Sequence, residues 1–351
     1  MRRWRAVFTL SATTLVAFVA LAAWGIASCS PAAFQSSTVI DTVRILASRA
    51  SEPRAKPGDS VTLDLLAYDG RTNQVPPMRL FWLPLPCINP ANDAYYACFS
   101  QFGAGPAPDA SAPDDAGATS LGLLKPGVDL TPVLTEGSSF TLKVPSDAVI
   151  ARKGASPYGL VILFNFACAG KTIELLPFDP NSQNPQQIPV GCFDSNHNQL
   201  GADDFVFGFT RVYVEADPTE VNPVISKVDI GGGSATRLGI DGGVATTAFE
   251  ATTCGGDADT CPHHAIGPVV SPSLPSNKQV WADYYATAGT FTSSARLLFG
   301  PMVTLSIPSG TNDEYVSPNT GSSIPATNFI WIVVHDDQGG ADWVTVPLHI
   351  K

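Results

Sequence analysis

Four soft or borderline metal ligands crowd one stretch of the chain, Cys254, Cys261, His263 and His264 in "CGGDADTCPHH". Zinc takes such ligands in a tetrahedron. The spacing is not that of a zinc finger, and adjacent histidines do not readily face one ion, so a disulfide is the default reading and no metal is expected. "DSNHNQLGADDF" offers oxygen donors at alternate positions, Asp194, Asn196 and Asn198, with Asp204 further on. Oxygen donors are what calcium prefers. However, Gln199 stands where a calcium loop needs its sharp-turn glycine, and no Glu follows at the loop's last position. A polar turn held by Asn and Asp side chains competes with calcium there.

Gly170-Lys171-Thr172 ends like a phosphate-binding loop, but Asn165 occupies the place of its first glycine. His335 adjoins Asp336 and Asp337, an imidazole beside carboxylates; without a nucleophile elbow this reads as a solvated turn. Trp281 and Tyr285 in "WADYYATAGTF" share one face of a strand. Exposed, they would stack on a sugar or grip a protein partner; otherwise they fill a core. No residue falls in a recognised catalytic motif. Catalysis and a cofactor are therefore not expected, although paired distant carboxylates could still build a glycosidase site.

Of the seven cysteines, Cys29 stands apart and the other six fall into three local pairs. In an exported chain an even set points to disulfides. The expected bonds are Cys87–Cys98, Cys168–Cys192 and Cys254–Cys261. The lone Cys29 then needs an explanation of its own. "MRRWR" is a basic start, "AVFTLSATTLVAFVALAAWGIA" is uncharged and apolar, and small residues Ala27 and Ser28 precede Cys29. This is the layout of a secretory signal. The apolar stretch is also long enough to span a bilayer as an uncleaved anchor.

Ile26-Ala27-Ser28-Cys29 resembles a bacterial lipobox. The resemblance implies a diacylglycerol on the Cys29 thiol, cleavage before it and acylation of the new amine. Ser30, not Asp, follows the cysteine, which by analogy with lipoprotein sorting favours the outer membrane. The expected address is the bacterial cell envelope, with the membrane as one partner and an envelope or extracellular protein or glycan as another.

Asp and Glu number 31 against 20 Lys and Arg, a formal charge of −11. Removing Arg2, Arg3 and Arg5 with the leader takes it to −14. Such a surface repels phosphate backbones, so nucleic acid is not an expected partner. The 30 Gly and 30 Pro in 351 residues fit many short strands joined by turns.

The elements that must position these residues read as strands. Val43 and Ile45, then Val61, Leu63 and Leu65, alternate with polar neighbours on either side of the turn "KPGD". "MRLFWLPLPC" and "AYYACFSQF" read as extended, and "SSFTLKVP" as a strand. "PYGLVILFNFACAG" reads as a central strand buried on both faces, and "DDFVFGFTRVYVEAD" as the last strand of a first domain. "GAGPAPDASAPDDAGATS" has no large apolar side chain and reads as a disordered loop. Beyond "PTEVNP", "VISKVDIGG", "VATTAFEATTC", "KQVWADYYATAGTF" and "MVTLSIPSG" read as further strands. "NFIWIVVHDDQGGADWVTVPLHIK" reads as a closing hairpin. No helical period stands out beyond the leader.

"EPRAKPGDSVTLDLLAYD" and "WIVVHDDQGGADWVTVPL" resemble the opening strands and closing hairpin of bacterial surface immunoglobulin-like and PKD-like modules. The resemblance implies an all-β chain of two immunoglobulin-like antiparallel β-sandwiches in tandem. The expected layout is a signal peptide at 1–28, a lipidated tether at 29–40 and a first sandwich at 41–217 with a disordered loop at 103–120. A linker at 218–223 and a second sandwich at 224–351 complete it. The implied role is binding or structural, with carbohydrate binding or glycan chemistry as the alternative.

Overall fold

Alternation of apolar and polar side chains, broken by Gly and Pro, gives an almost purely β protein. The computed structural model describes residues 37–99, 126–152, 156–177, 189–239, 243–255, 260–270, 278–299 and 312–351. The expected leader, Cys29, the start of the tether, the loop at 103–120 and the segment "MVTLSIPSG" lie outside the described residues. Among the described residues no helix is long and apolar enough to cross a membrane.

The first half carries β1 (Val43–Ala50), β2 (Arg54–Ala55), β3 (Ser60–Asp69), β4 (Arg79–Trp82), β5 (Cys87–Ile88), β6 (Thr135–Glu136), β7 (Ser139–Lys143), β8 (Gly159–Cys168), β9 (Thr172–Leu175), β10 (Val190–Phe193) and β11 (Phe205–Val214). The second carries β12 (Ile225–Ile230), β13 (Gly233–Leu238), β14 (Val244–Ala245), β15 (Phe249–Ala251), β16 (His263–Val270), β17 (Val280–Ala286), β18 (Thr290–Phe291), β19 (Ala295–Phe299), β20 (Asp313–Val316), β21 (Asn328–Asp336) and β22 (Ala341–Ile350).

In the first half β1, β3 and β7 form one sheet, and β2, β11, β8, β4 and β6 form another. Val61, Leu63 and Leu65 of β3 meet Val161 and Leu163 of β8, Val212 and Val214 of β11, and Trp82 between them. The turn before β3 forms as its residues dictate. Gly58 takes φ +84°, and the Asp59 carboxylate accepts the Lys56 amide at 2.8 Å.

All ten residues of β8 are buried, so its apolar run faces a core on each side. Its second face, Leu160, Ile162, Phe164 and Phe166, packs under a cover built from the segments around Cys87–Cys98 and Cys168–Cys192. The cover explains one departure from the sequence reading. "AYYACFSQF" does not continue as a strand: Ala97–Phe99 are helical. Tyr95, Cys98 and Phe99 are spaced as one helical face, and that face meets Phe209, Cys87 and Phe164.

In the second half eleven strands form one continuous sheet in the order β18-β20-β16-β12-β13-β14-β22-β21-β17-β19, with β15 also on β22. The sheet curls round a single core that includes Val228, Ile266, Tyr284, Tyr315, Ile332 and Val346. The closing hairpin pairs β21 with β22 from Asn328↔Leu348 to His335↔Ala341. Residues Ser37–Lys351 form one compact unit.

The three expected cysteine pairs, Cys87–Cys98, Cys168–Cys192 and Cys254–Cys261, lie at disulfide distance. The Cys168–Cys192 bond fastens the cover to the end of β8 and closes the longest of the three loops, 24 residues. Replacing both cysteines by Ala should cost about 3 kcal/mol. Guanidinium unfolding monitored by tryptophan fluorescence reads this as a lowered midpoint; an unchanged midpoint would show that the cover holds without its staple.

Candidate functional site

The strands of the two halves meet where β1 packs against β21 and β22. On β21, Ile330, Ile332 and Val334 point into the second core, while Trp331 and Val333 point the other way into the first half. Trp331 packs with Ile40, Leu46 and Tyr68; Val333 packs with Ala47, beside Trp343. A register shift between Ile45 and Ala47 bulges β1. The bulge brings two consecutive residues, Leu46 and Ala47, to the seam. Tyr68 lies 4.8 Å from Trp331 and 6.4 Å from Phe329, a cluster of tilted and edge-on rings.

Beside these rings sits a buried ion cluster. Asp342, at the start of β22, is 2 % exposed. Its carboxylate accepts from Arg49 of β1 at 3.2 Å and from Arg237 of β13, including Nη2 at 3.0 Å. It also accepts the backbone amide of Ile225 at 2.8 Å. Arg49 turns its other nitrogen to Asp64 at 3.2 Å and lies 4.6 Å over the Trp343 ring. One carboxylate therefore joins the first half, the second half and the entry of β12.

The connection between the halves is fixed by similar bonds. Asn222 donates to the Ala50 carbonyl at 2.8 Å and accepts the Ala341 amide at 3.0 Å. Arg54 pairs with Glu215 and Gln338. Buried Lys278 pairs with Glu220 and with Asp336 at 3.1 Å. Burial lowers the Lys278 pKa, but these two carboxylates outweigh it and leave the ammonium above its ordinary value. A cleft of about 250 Å³ lined by Arg49, Glu52, Asn222 and Asp342 opens beside this connection. A second, of about 400 Å³, lies between Tyr68, Arg71, Gln74 and Pro325. Its one cation, Arg71, is engaged with Asp69, Asp204 and the Pro76 carbonyl.

The residues singled out by sequence distribute as follows. Asp194 accepts the amides of Asn196 and Asn198 and the Asn198 side chain, at 2.8, 2.8 and 3.0 Å. These bonds hold its carboxyl below the usual range, the Asn198 side chain most of all. Asp204 faces Arg71 at 2.9 Å instead. Strand alternation separates the two histidines of β16. His263 reaches Glu314 at 2.9 Å, while His264 lies edge-on to Phe249. Among the described residues, no group of three or more His, Cys, Asp or Glu could hold a metal ion. Gly170 abuts the Cys192 sulfur, which a side chain at that position would strike at 2.6 Å, and β9 rather than a helix follows it.

Asp336 turns inward to Lys278, whereas His335 turns outward to Asp283 at 3.1 Å. Trp281 and Tyr285 share a face as expected, but their surroundings differ. Tyr285 packs into the seam, where burial, with Asp283 adding to it, pushes its phenol well above the ordinary value. Trp281 is half-buried and stacks on His335 at 5.5 Å. Compared with known proteins, the chain matches no family model and no curated protein.

The seam was missed in the sequence, although one signal for it was present. Phe329–Val334 is a run with no polar alternation. A strand reading "FIWIVV" must bury both faces, and the second face needs a partner from elsewhere. The Arg49–Asp342 pair has no local signal, since its members lie 293 residues apart.

Asp342→Ala leaves Arg49 and Arg237 buried without their shared carboxylate. Loss of one partner of such a cluster costs roughly 3–5 kcal/mol. Chemical unfolding should register that loss. The exposed-pair variant Glu314→Ala serves as the reference, with an expected change of about 0–1 kcal/mol. Equal effects of the two substitutions would contradict the role given to Asp342.

Proposed function

We propose that this chain is a lipid-anchored protein of the bacterial cell envelope, held at the outer membrane by acyl chains on Cys29. Its two halves are read as immunoglobulin-like sandwiches, with 218–223 as the connection between them. The role is binding or structural rather than catalytic: a rigid body that presents its loops to an envelope or extracellular protein or glycan.

One observation carries the role. Asp342, Arg49 and Arg237, all buried, tie the two halves together and into the aromatic seam instead of converging on an open cleft. That supports a fixed presenting surface. The paired cysteines support an oxidising compartment. The anchor reading rests on the residues from Ile26 to Cys29. Each buried CH₂ contributes about 0.8 kcal/mol, and a single chain holds only marginally, so anchoring needs the several chains that a lipidated cysteine carries. The alternative, glycan recognition, is favoured by the half-buried Trp281 beside the His335–Asp283 pair.

Growth with an alkyne fatty acid, followed by mass spectrometry of the N-terminal peptide, tests the anchor. A peptide beginning at acylated Cys29 is expected, with the label abolished in Cys29→Ser. An unlabelled chain that still starts at Met1 would overturn the assignment.

A further inference from the structure

One of the buried ion pairs is built on a primary amine. Lys278 stands just before β17 and Asp336 ends β21; they are 3 % and 4 % exposed. Lys278 Nζ lies 3.1 Å from Asp336 Oδ2 and also meets Glu220 Oε2. An arginine in such a pair stays protonated. A lysine that gives up its proton is a nucleophile, and the carboxyl carbon beside it is an electrophile.

The two oxygens of Asp336 are placed differently. Oδ1 accepts the backbone amides of Gln338 at 2.9 Å and Gly340 at 2.7 Å. Oδ2 is turned to Lys278. The turn between β21 and β22 folds back to give this geometry, and the Asp336 amide donates to the Gly340 carbonyl at 3.0 Å. Glycine at 340 allows the close approach: a Cβ there would stand 2.6 Å from Oδ2 and 2.9 Å from the Pro223 ring. The amides alone make an Asx-type turn, and the ions alone make a salt bridge. What is specific here is their convergence on one carboxyl carbon, with two donors on one oxygen and an amine at the other.

We infer that Lys278 and Asp336 join in an isopeptide bond, with Glu220 carrying the protons. An Nζ proton passes to Glu220, and the freed amine attacks Cγ of Asp336. Negative charge gathers on Oδ1, which faces the Gln338 and Gly340 amides. The Cγ–Oδ2 bond then breaks. Oδ2 leaves as water, taking one proton back from Glu220 and a second from Nζ. An ammonium and a carboxylate become a neutral amide and one water, with no oxidant, reductant or other reactant.

Burial and geometry both favour the amide. Two charges held out of water carry a desolvation cost that their neutralisation removes. Holding the groups in contact replaces a bimolecular encounter by a high effective concentration. The two carboxylates hold the Lys278 ammonium above its ordinary pKa, so the ion pair is the starting state and Glu220 is needed to draw the proton off. The bond ties the entry of β17 to the end of β21, next to the Val280↔Asp336 pairing. This self-modification goes beyond the anchor and the presenting role proposed above and depends on neither.

Tryptic digestion and mass spectrometry of the detergent-solubilised full chain, with its cysteines reduced and alkylated, test the bond. The expected product is a joined pair of peptides, one holding Lys278 and the other Asp336, lighter by one water than their sum and uncut after Lys278. Lys278→Arg keeps a cation beside Asp336 and should give only unlinked peptides. In pulse-labelled chains, joining should slow about 100-fold in Glu220→Gln, the lower end of what a positioned proton carrier contributes. Separate peptides cut after Lys278 in the native chain would overturn the inference. So would an unchanged rate of joining in Glu220→Gln. The native chain answers the first point without any variant, so a variant that fails to fold cannot hide the result.

Discussion

A carboxylate taken out of water must be repaid by charges and donors around it. Asp342 is that group here, and its partners arrive from three places: Arg49 from β1, Arg237 from β13 and the Ile225 amide at the entry of β12. Arg49 is the partner that comes from the first half, so the complete cluster needs both halves in place. The aromatic seam acts beside it, with Arg49 lying over Trp343 and Trp331 meeting Tyr68. Packing and the Arg49–Asp342 pair act on the same contact, so the seam joins apolar burial to a directional ion pair.

The same logic of filling both faces runs through the fold. β8 lies between the first core and the disulfide-stapled cover. β21 lies between the second core and the seam. Each is a strand whose apolar run lacks polar alternation, and each therefore has a layer on either side. The Trp281–His335 stack lies outside the ion cluster.

Local features were legible in the sequence because their causes are local. The alternation of Val61, Leu63 and Leu65, the "KPGD" turn, the closing hairpin and the double burial of "LVILFNFAC" all follow from neighbours along the chain. The cysteine pairs were legible for the same reason, since each closes a short loop. What escaped depends on distant partners. The helical turn at Ala97–Phe99 exists because Tyr95, Cys98 and Phe99 have a cover to enter. Tyr285 and Trp281 share one strand face, yet only contact with β1 and β3 residues decides that Tyr285 belongs to the seam.

If the buried Asp342 cluster and the seam make one body of the two halves, heating should melt them together. Differential scanning calorimetry measures this directly. The account predicts a single transition whose calorimetric and van't Hoff enthalpies agree. Two resolved transitions, each with its own van't Hoff enthalpy, would contradict it.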